Sequence, residues 1–223
     1  MIGNIYKKFT YNTTIYRFRE MIEDLYQTKY LEKLHQSHPQ YLPKEKLEFS
    51  NESQTDFHKY FYNKLNKNWP EFINCYEKFI EEEIRPQFSE SILYQYLPSF
   101  RAQIPNDQAI HKWHHDSDKD HNHPDGEINY CIAITEMKDT TAIWIESEPN
   151  KGDFFPMNIN IGEYHRFNGN KCNHGNKKNI SGSIRFSLDF RILPLSKYKA
   201  NQNKASLTAS KKFELGDYYK KFN

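Results

Sequence analysis

Apolar positions follow two different periods along the chain, and the change falls near residue 90. Ile15, Phe18, Met21, Ile22, Leu25, Leu31 and Leu34 recur at three- and four-residue steps, the spacing of one helix face. Thr13 or Thr14 can cap that run, which ends near His38-Pro39. A second helix is predicted from Thr55 to about Asn66, with Phe57, Phe61 and Leu65 on one side. A third spans 69–84, with Pro70 in its first turn and Phe72, Ile73, Tyr76, Phe79, Ile80 and Ile84 as the stripe. Arg85-Pro86 stops it.

Beyond Phe88 the segments 91–104, 127–135, 142–147, 153–161, 163–167 and 183–193 are short and rich in Ile, Tyr, Phe and Trp, with turn residues between them. In 183–193, Ile184, Phe186, Leu188, Phe190 and Ile192 alternate with Arg185, Ser187, Asp189 and Arg191, a period of two. Six such strands predict a mainly β fold of sandwich or jelly-roll type, with N-terminal helices on one sheet. One domain over 1–223 is expected, with a helical N-terminal region over 1–89, a β core over 90–195 and a tail over 196–223. Residues 199–212 are polar and read as a mobile loop, after which the aromatics of 213–222 dock back.

Composition narrows the function. Hydrophobic residues are only 37% of the chain, but 16 Phe and 16 Tyr carry much of the apolar mass. Rings of that size still build a core. The net charge of +2 gives no electrostatic footprint for nucleic acid or an anionic membrane, so neither is expected as a partner. Cys75, Cys131 and Cys172 contain no C-x-x-C, which argues against a disulfide scaffold or zinc ribbon. No apolar run has signal-peptide or membrane-span length, and a cytoplasmic setting is the expectation. Oligomeric state is not legible.

Five of the ten histidines fall in HKWHHDSDKDHNH, residues 111–123. Within it, His114-His115-Asp116 is H-x-D. Residues separated by one point to the same side of a strand, so an imidazole and a carboxylate can meet one metal ion. A distant His completes a 2-His-1-carboxylate set, which suits non-haem Fe(II) with open positions. A second copy, His123-Pro124-Asp125, is rejected because Pro124 and Gly126 mark a turn. His115 points away from His114, and His111 reads as solvated. The third ligand is assigned to His174, 58 residues after Asp116. His165 is second choice, because Arg185 stands eleven residues after His174 and twenty after His165. Arg185 and Ser187 share a strand face, and a guanidinium with a hydroxyl is a receptor for a carboxylate. Arg191 is the second-choice anion binder.

These residues resemble a known family. The stretch from His114 to Asp118, then Gly126-Glu127-Ile128-Asn129, Trp144-Ile145-Glu146-Ser147-Glu148-Pro149, Gly152-Asp153-Phe154, Asn168-Gly169-Asn170, His174-Gly175 and Arg185-Phe186-Ser187-Leu188-Asp189-Phe190-Arg191 is similar to the 2-oxoglutarate/Fe(II) oxygenases, in their streptomycin-biosynthesis-type branch. The resemblance covers about residues 90–195. It implies a double-stranded β-helix (cupin-like jelly roll) core, and Fe(II) held by His114, Asp116 and His174. It implies 2-oxoglutarate with its C5 carboxylate on Arg185 and Ser187, O2 as oxidant, and succinate and CO2 as products. His121 and Asn129 fall where relatives carry the same residues, and both are placed near the cofactor cavity. Lys119 departs from the Tyr of relatives. A small polar metabolite is the expected substrate, with Arg101, Gln103 and Glu146 as candidate contacts and Trp144 read as core. Alternatives are a peptidyl side-chain hydroxylase, a cupin-like isomerase or lyase without 2-oxoglutarate, or a metal-free binding protein on the same fold.

Overall fold

Helices dominate the chain before residue 90 and strands dominate after it. The computed structural model describes residues 5–39, 55–106, 113–200, 204–205 and 211–222. Among them run β1 (Lys7–Thr10), α1 (Phe18–Tyr26), α2 (Leu34–Ser37), α3 (Asp56–Asn68) and α4 (Pro70–Phe79). Then follow β2 (Ile92–Gln95), β3 (Ser99–Gln103), β4 (Ile128–Ala133), β5 (Ile143–Ile145), β6 (Phe155–Met157), β7 (Glu163–Phe167), β8 (His174–Asn176), β9 (Arg185–Pro194) and β10 (Tyr219–Lys221).

The N-terminal region is not wholly helical, because β1 pairs antiparallel with β7 at the sheet edge. The expected helix over 15–34 is broken. Gln27 takes a left-handed φ of 53°, and Thr28 N–H closes on the Glu23 carbonyl, so α1 ends there. Leu31 and Leu34 stay buried on the next short turns, so the apolar face survives the break. α3 and α4 form as read: the Thr55 hydroxyl caps His58 N–H, and Pro70 sits in the first turn of α4. A π turn over Ile80–Ile84 carries the chain to Arg85-Pro86.

The segment 91–104 divides at Leu97-Pro98 into two strands, and both lie antiparallel beside β9. Proline cannot donate to a ladder, which explains the break. The large sheet has the order β1-β7-β4-β9-β2-β10, with β3 also on β9; the small one is β6-β5-β8. Every named pairing is antiparallel.

α1, α3 and α4 cover one face of the large sheet. Phe61 of α3, Phe100 of β3 and Phe186 of β9 stack at 4.3 and 5.4 Å between ring centres. The opposite face meets the small sheet, where Cys131, Ala133 and Phe167 are buried with Ile143, Ile145 and Met157. The tail docks as expected: Phe213, Tyr218 and Tyr219 are buried with Leu93 and Leu193. Much of 199–212, and His111, lie outside the described residues. All three cysteines are free thiols. No described helix is long and apolar enough to cross a membrane.

Candidate metal centre and cavity

His114 and His174, distant in sequence, are directly paired in space. Each donates its backbone N–H to the other's carbonyl, at 3.1 and 2.8 Å. His114 forms an isolated bridge rather than a run of strand, so the expected strand setting of H-x-D is corrected. Beyond His114 the chain turns, with Asp118 N–H on the His115 carbonyl, and the turn is held in place because Asp116 N–H bonds the Gly169 carbonyl and Ser117 N–H the Asn170 carbonyl. The side chains of His114 and Asp116 therefore still meet.

The donor atoms of His114, Asp116 and His174 all lie within 4.8 Å of one another. Asp116 Oδ1 is 3.5 Å from His114 Nε2 and 3.6 Å from His174 Nε2. The other oxygen, Oδ2, accepts from Asn129 Nδ2 at 2.7 Å and from Arg191 Nε at 3.0 Å. Oδ1 is buried and accepts no hydrogen bond among the described residues. A buried carboxylate oxygen left bare and facing two imidazole nitrogens fits a divalent cation. His174 Nδ1 lies 3.1 Å from the Cys172 carbonyl, which fixes a proton there and turns the Nε2 lone pair inward.

Electrostatics agree with the geometry. Burial alone would raise the Asp116 pKa, but Arg191, then the His114 imidazole beside it, hold it well below the usual carboxylate range. Burial, then repulsion by His114, pushes His174 down to about 4. The carboxylate is thus charged and this imidazole neutral at pH 7, the forms that bind metal.

The triad opens on a cavity of about 60 Å³ whose wall also includes Arg101, His121, His123, Arg185 and Asp189. Arg185 is 1% exposed and donates to Ser187 Oγ at 2.9 Å. Arg191 is committed to Asp116, which removes it as the alternative anion receptor. Arg101 pairs with Asp189 at 3.1 Å on the cavity wall. His121 stacks on His114, 3.9 Å between ring centres, with its Nδ1 on Asp118. Asn129 reaches Asp116, and it can do so because Gly169 lies against it: a Cβ there would come within 2.8 Å of the Asn129 amide.

Other residues named from the sequence have different surroundings. Glu146 does not line the cavity; its carboxylate accepts from Gly152 N–H and Asn173 N–H, tying a loop to the residue before His174. Gln103 likewise lies off the cavity wall, donating to the Lys177 carbonyl. Trp144 is half-buried rather than core, with Lys177 Nζ 3.1 Å from its ring centre. Lys119 is exposed. His115 and His165 stand outside the triad. His123 lines the cavity, although its Asp125 does not: His123 Nδ1 meets buried Glu127 at 2.7 Å, and Glu127 also accepts from Tyr219 in the tail. The carboxylate four residues after His123 was the available signal for that pair.

No family model matches the chain. Solved structures resembling it include a non-haem monooxygenase–nickel complex, ThoJ, at 9% identity and TM-score 0.47, covering 92% of this chain and 79% of that one. A second is a prolyl hydroxylase with a hypoxia inducible factor peptide fragment from Trichoplax adhaerens, at 10% and 0.48 over 87% and 86%. A third is CytC3 with Fe(II) and alpha-ketoglutarate, at 14% and 0.47 over 90% and 77%. The sequence relation is much closer for the streptomycin biosynthesis protein StrG of Streptomyces griseus, 30% identical over 165 residues that span 74% of this chain and 75% of that protein. At that identity and coverage the chain belongs to the StrG family, the streptomycin-biosynthesis-type branch that its motifs resemble.

Proposed function

We propose that this protein is an Fe(II)/2-oxoglutarate-dependent dioxygenase that hydroxylates a small polar metabolite. The carrying observation is the buried His114–Asp116–His174 cluster on the same cavity as the buried Arg185–Ser187 pair. Two antiparallel sheets packed face to face around that cluster fit a double-stranded β-helix.

Each group has a physical role in this reading. His114, Asp116 and His174 would hold the iron through two imidazole nitrogens and one carboxylate oxygen. Arg185 and Ser187 receive the C5 carboxylate of 2-oxoglutarate, where a guanidinium fork binds strongly because water is excluded. Bound iron and 2-oxoglutarate supply the oxidation: O2 places one oxygen atom in succinate, formed with CO2, and the other in the substrate. Ile143 and Phe167 on the cavity wall keep bulk water away. Nδ1 of His121 faces Asp118 and Nδ1 of His123 faces Glu127, which leaves each Nε2 to meet substrate hydroxyls. Arg101 and Asn176 are further polar groups on that wall. A metal-dependent isomerase or lyase of this fold would have no use for Arg185.

The test is 2-oxoglutarate turnover. Protein loaded anaerobically with Fe(II), then given O2, ascorbate, 2-oxoglutarate and a metabolite extract, is expected to form succinate and a product about 16 mass units heavier. The variant Arg185→Gln should keep its metal and bind 2-oxoglutarate on the order of 100-fold more weakly, the effect of losing two charge-assisted bonds. Equal 2-oxoglutarate affinity in the variant would reject the reading.

A further inference from the structure

Among the described residues Asp116 is the one carboxylate of the triad, and its two oxygens live in different surroundings. Oδ1 faces the two imidazoles and accepts no hydrogen bond. Oδ2 is taken three times: by Asn129 Nδ2 at 2.7 Å, Arg191 Nε at 3.0 Å and Arg191 Nη2 at 3.0 Å. Asp116 is 1% exposed, Asn129 3% and Arg191 9%, so water does not screen these bonds.

The two partners come from neighbouring strands in fixed register. Asn129 of β4 stands opposite Arg191 of β9, so both side chains leave the sheet on the same face. The neighbouring carboxylates are engaged elsewhere: Glu127 with His123 and Tyr219, Asp189 with Arg101. Arg191 therefore directs its charge at the metal ligand.

We propose that Arg191 and Asn129 are positioning residues for the metal: they pin Asp116 to the ion through Oδ1 alone, and the guanidinium charge behind that carboxylate keeps bound iron ferrous. This deepens the oxygenase reading and rests on it. A carboxylate whose second oxygen is already taken cannot chelate, so three coordination positions stay open rather than two. A fixed positive charge opposes Fe(III) more than Fe(II), because the two ions differ by one unit of charge. It also draws electron density from Asp116, which weakens the donor that would stabilise Fe(III).

The test uses metal binding and potential, not turnover. Asn129→Ala is expected to weaken Mn(II) binding at least about tenfold, the usual effect of removing a group that orients a metal ligand. Arg191→Gln keeps a donor but loses the charge. At a fixed applied potential its Fe(III)/Fe(II) ratio should rise about tenfold, a fall in midpoint of about 59 mV, and Arg191→Lys should restore it. An iron-loaded Arg191→Gln protein with unchanged or higher midpoint overturns the electrostatic role. Should Arg191→Gln not fold, Asn129→Ala decides alone: unchanged Mn(II) affinity overturns the pinning. Wild-type protein that takes up neither metal would instead strike the oxygenase reading, and this inference with it.

Discussion

Phe186, Leu188, Phe190 and Ile192 leave one face of β9 and join the aromatic core beneath the helices. From the other face, Arg185, Asp189 and Arg191 line the cavity, and Ser187 bonds Arg185. One face is apolar and stacked ring on ring; the other is a row of charges, each tied to a neighbour on the cavity side. The strand thus separates stability from chemistry by a single pleat. A one-residue slip of register would exchange the two sets, burying guanidinium groups among phenyl rings. Antiparallel pairs on both sides of β9 fix that register, among them Phe100 with Leu188, Leu93 with Leu193 and Tyr130 with Phe190.

Substitutions on the two faces should therefore act differently. The largest effect is expected at the carboxylate that the polar face supports. Asp116→Ala removes the metal-facing oxygen and strands Arg191 as a buried charge, a loss of about 3–5 kcal/mol on top of the lost ligand. Calorimetric titration should detect no Fe(II) binding, whereas Asp125→Ala in the second H-x-D should titrate like wild type. Near-normal affinity in Asp116→Ala would sink the ligand assignment. On the apolar face, Phe186→Ala should cost about 3–5 kcal/mol in denaturant unfolding, because it opens a gap in the Phe61–Phe100–Phe186 stack. A cost under about 1 kcal/mol would mean that this face is not the structural one.

The smallest effect is a pH dependence at His165, buried with no hydrogen bond on either ring nitrogen among the described residues. Burial, then Lys8, pushes its pKa down to about 4, against about 6.5 when unfolded. Unfolding therefore takes up a proton between those values, and the metal-free protein should lose stability as pH falls from about 6.5 to about 4. Above about 6.5 the group is neutral in both states and contributes no slope. His165→Leu should accordingly stabilise more at about pH 5 than at about pH 8, read as the difference between two melting curves.

Much of this arrangement was legible in the sequence. The alternation in β9 identified both faces, and the spacing from His174 to Arg185 pointed to His174 over His165 as the third member of the cluster. Two features stayed hidden for physical reasons. β1, β8 and β10 are only three or four residues long, too short to show a period, and exist because a neighbour pairs with them. The partner of Arg191 was also hidden, since a guanidinium on a strand face serves a bound anion or a protein carboxylate equally well until the opposite wall is in place. The two H-x-D copies make the same point. Asp116 is buried against Arg191 and Asn129, while Asp125 is exposed beside Lys171.

The sequence by itself determined the period of each longer element, the side of β9 that carries charge, and the residue types able to bind a metal and a carboxylate. Those properties are local, set by side-chain alternation and donor chemistry. Tertiary structure decided that Arg191 faces Asp116, and that Glu146 and Gln103 bond backbone groups of neighbouring loops. A side chain's role depends on which counter-charge and which wall face it after folding, and those come from strands far away in the chain.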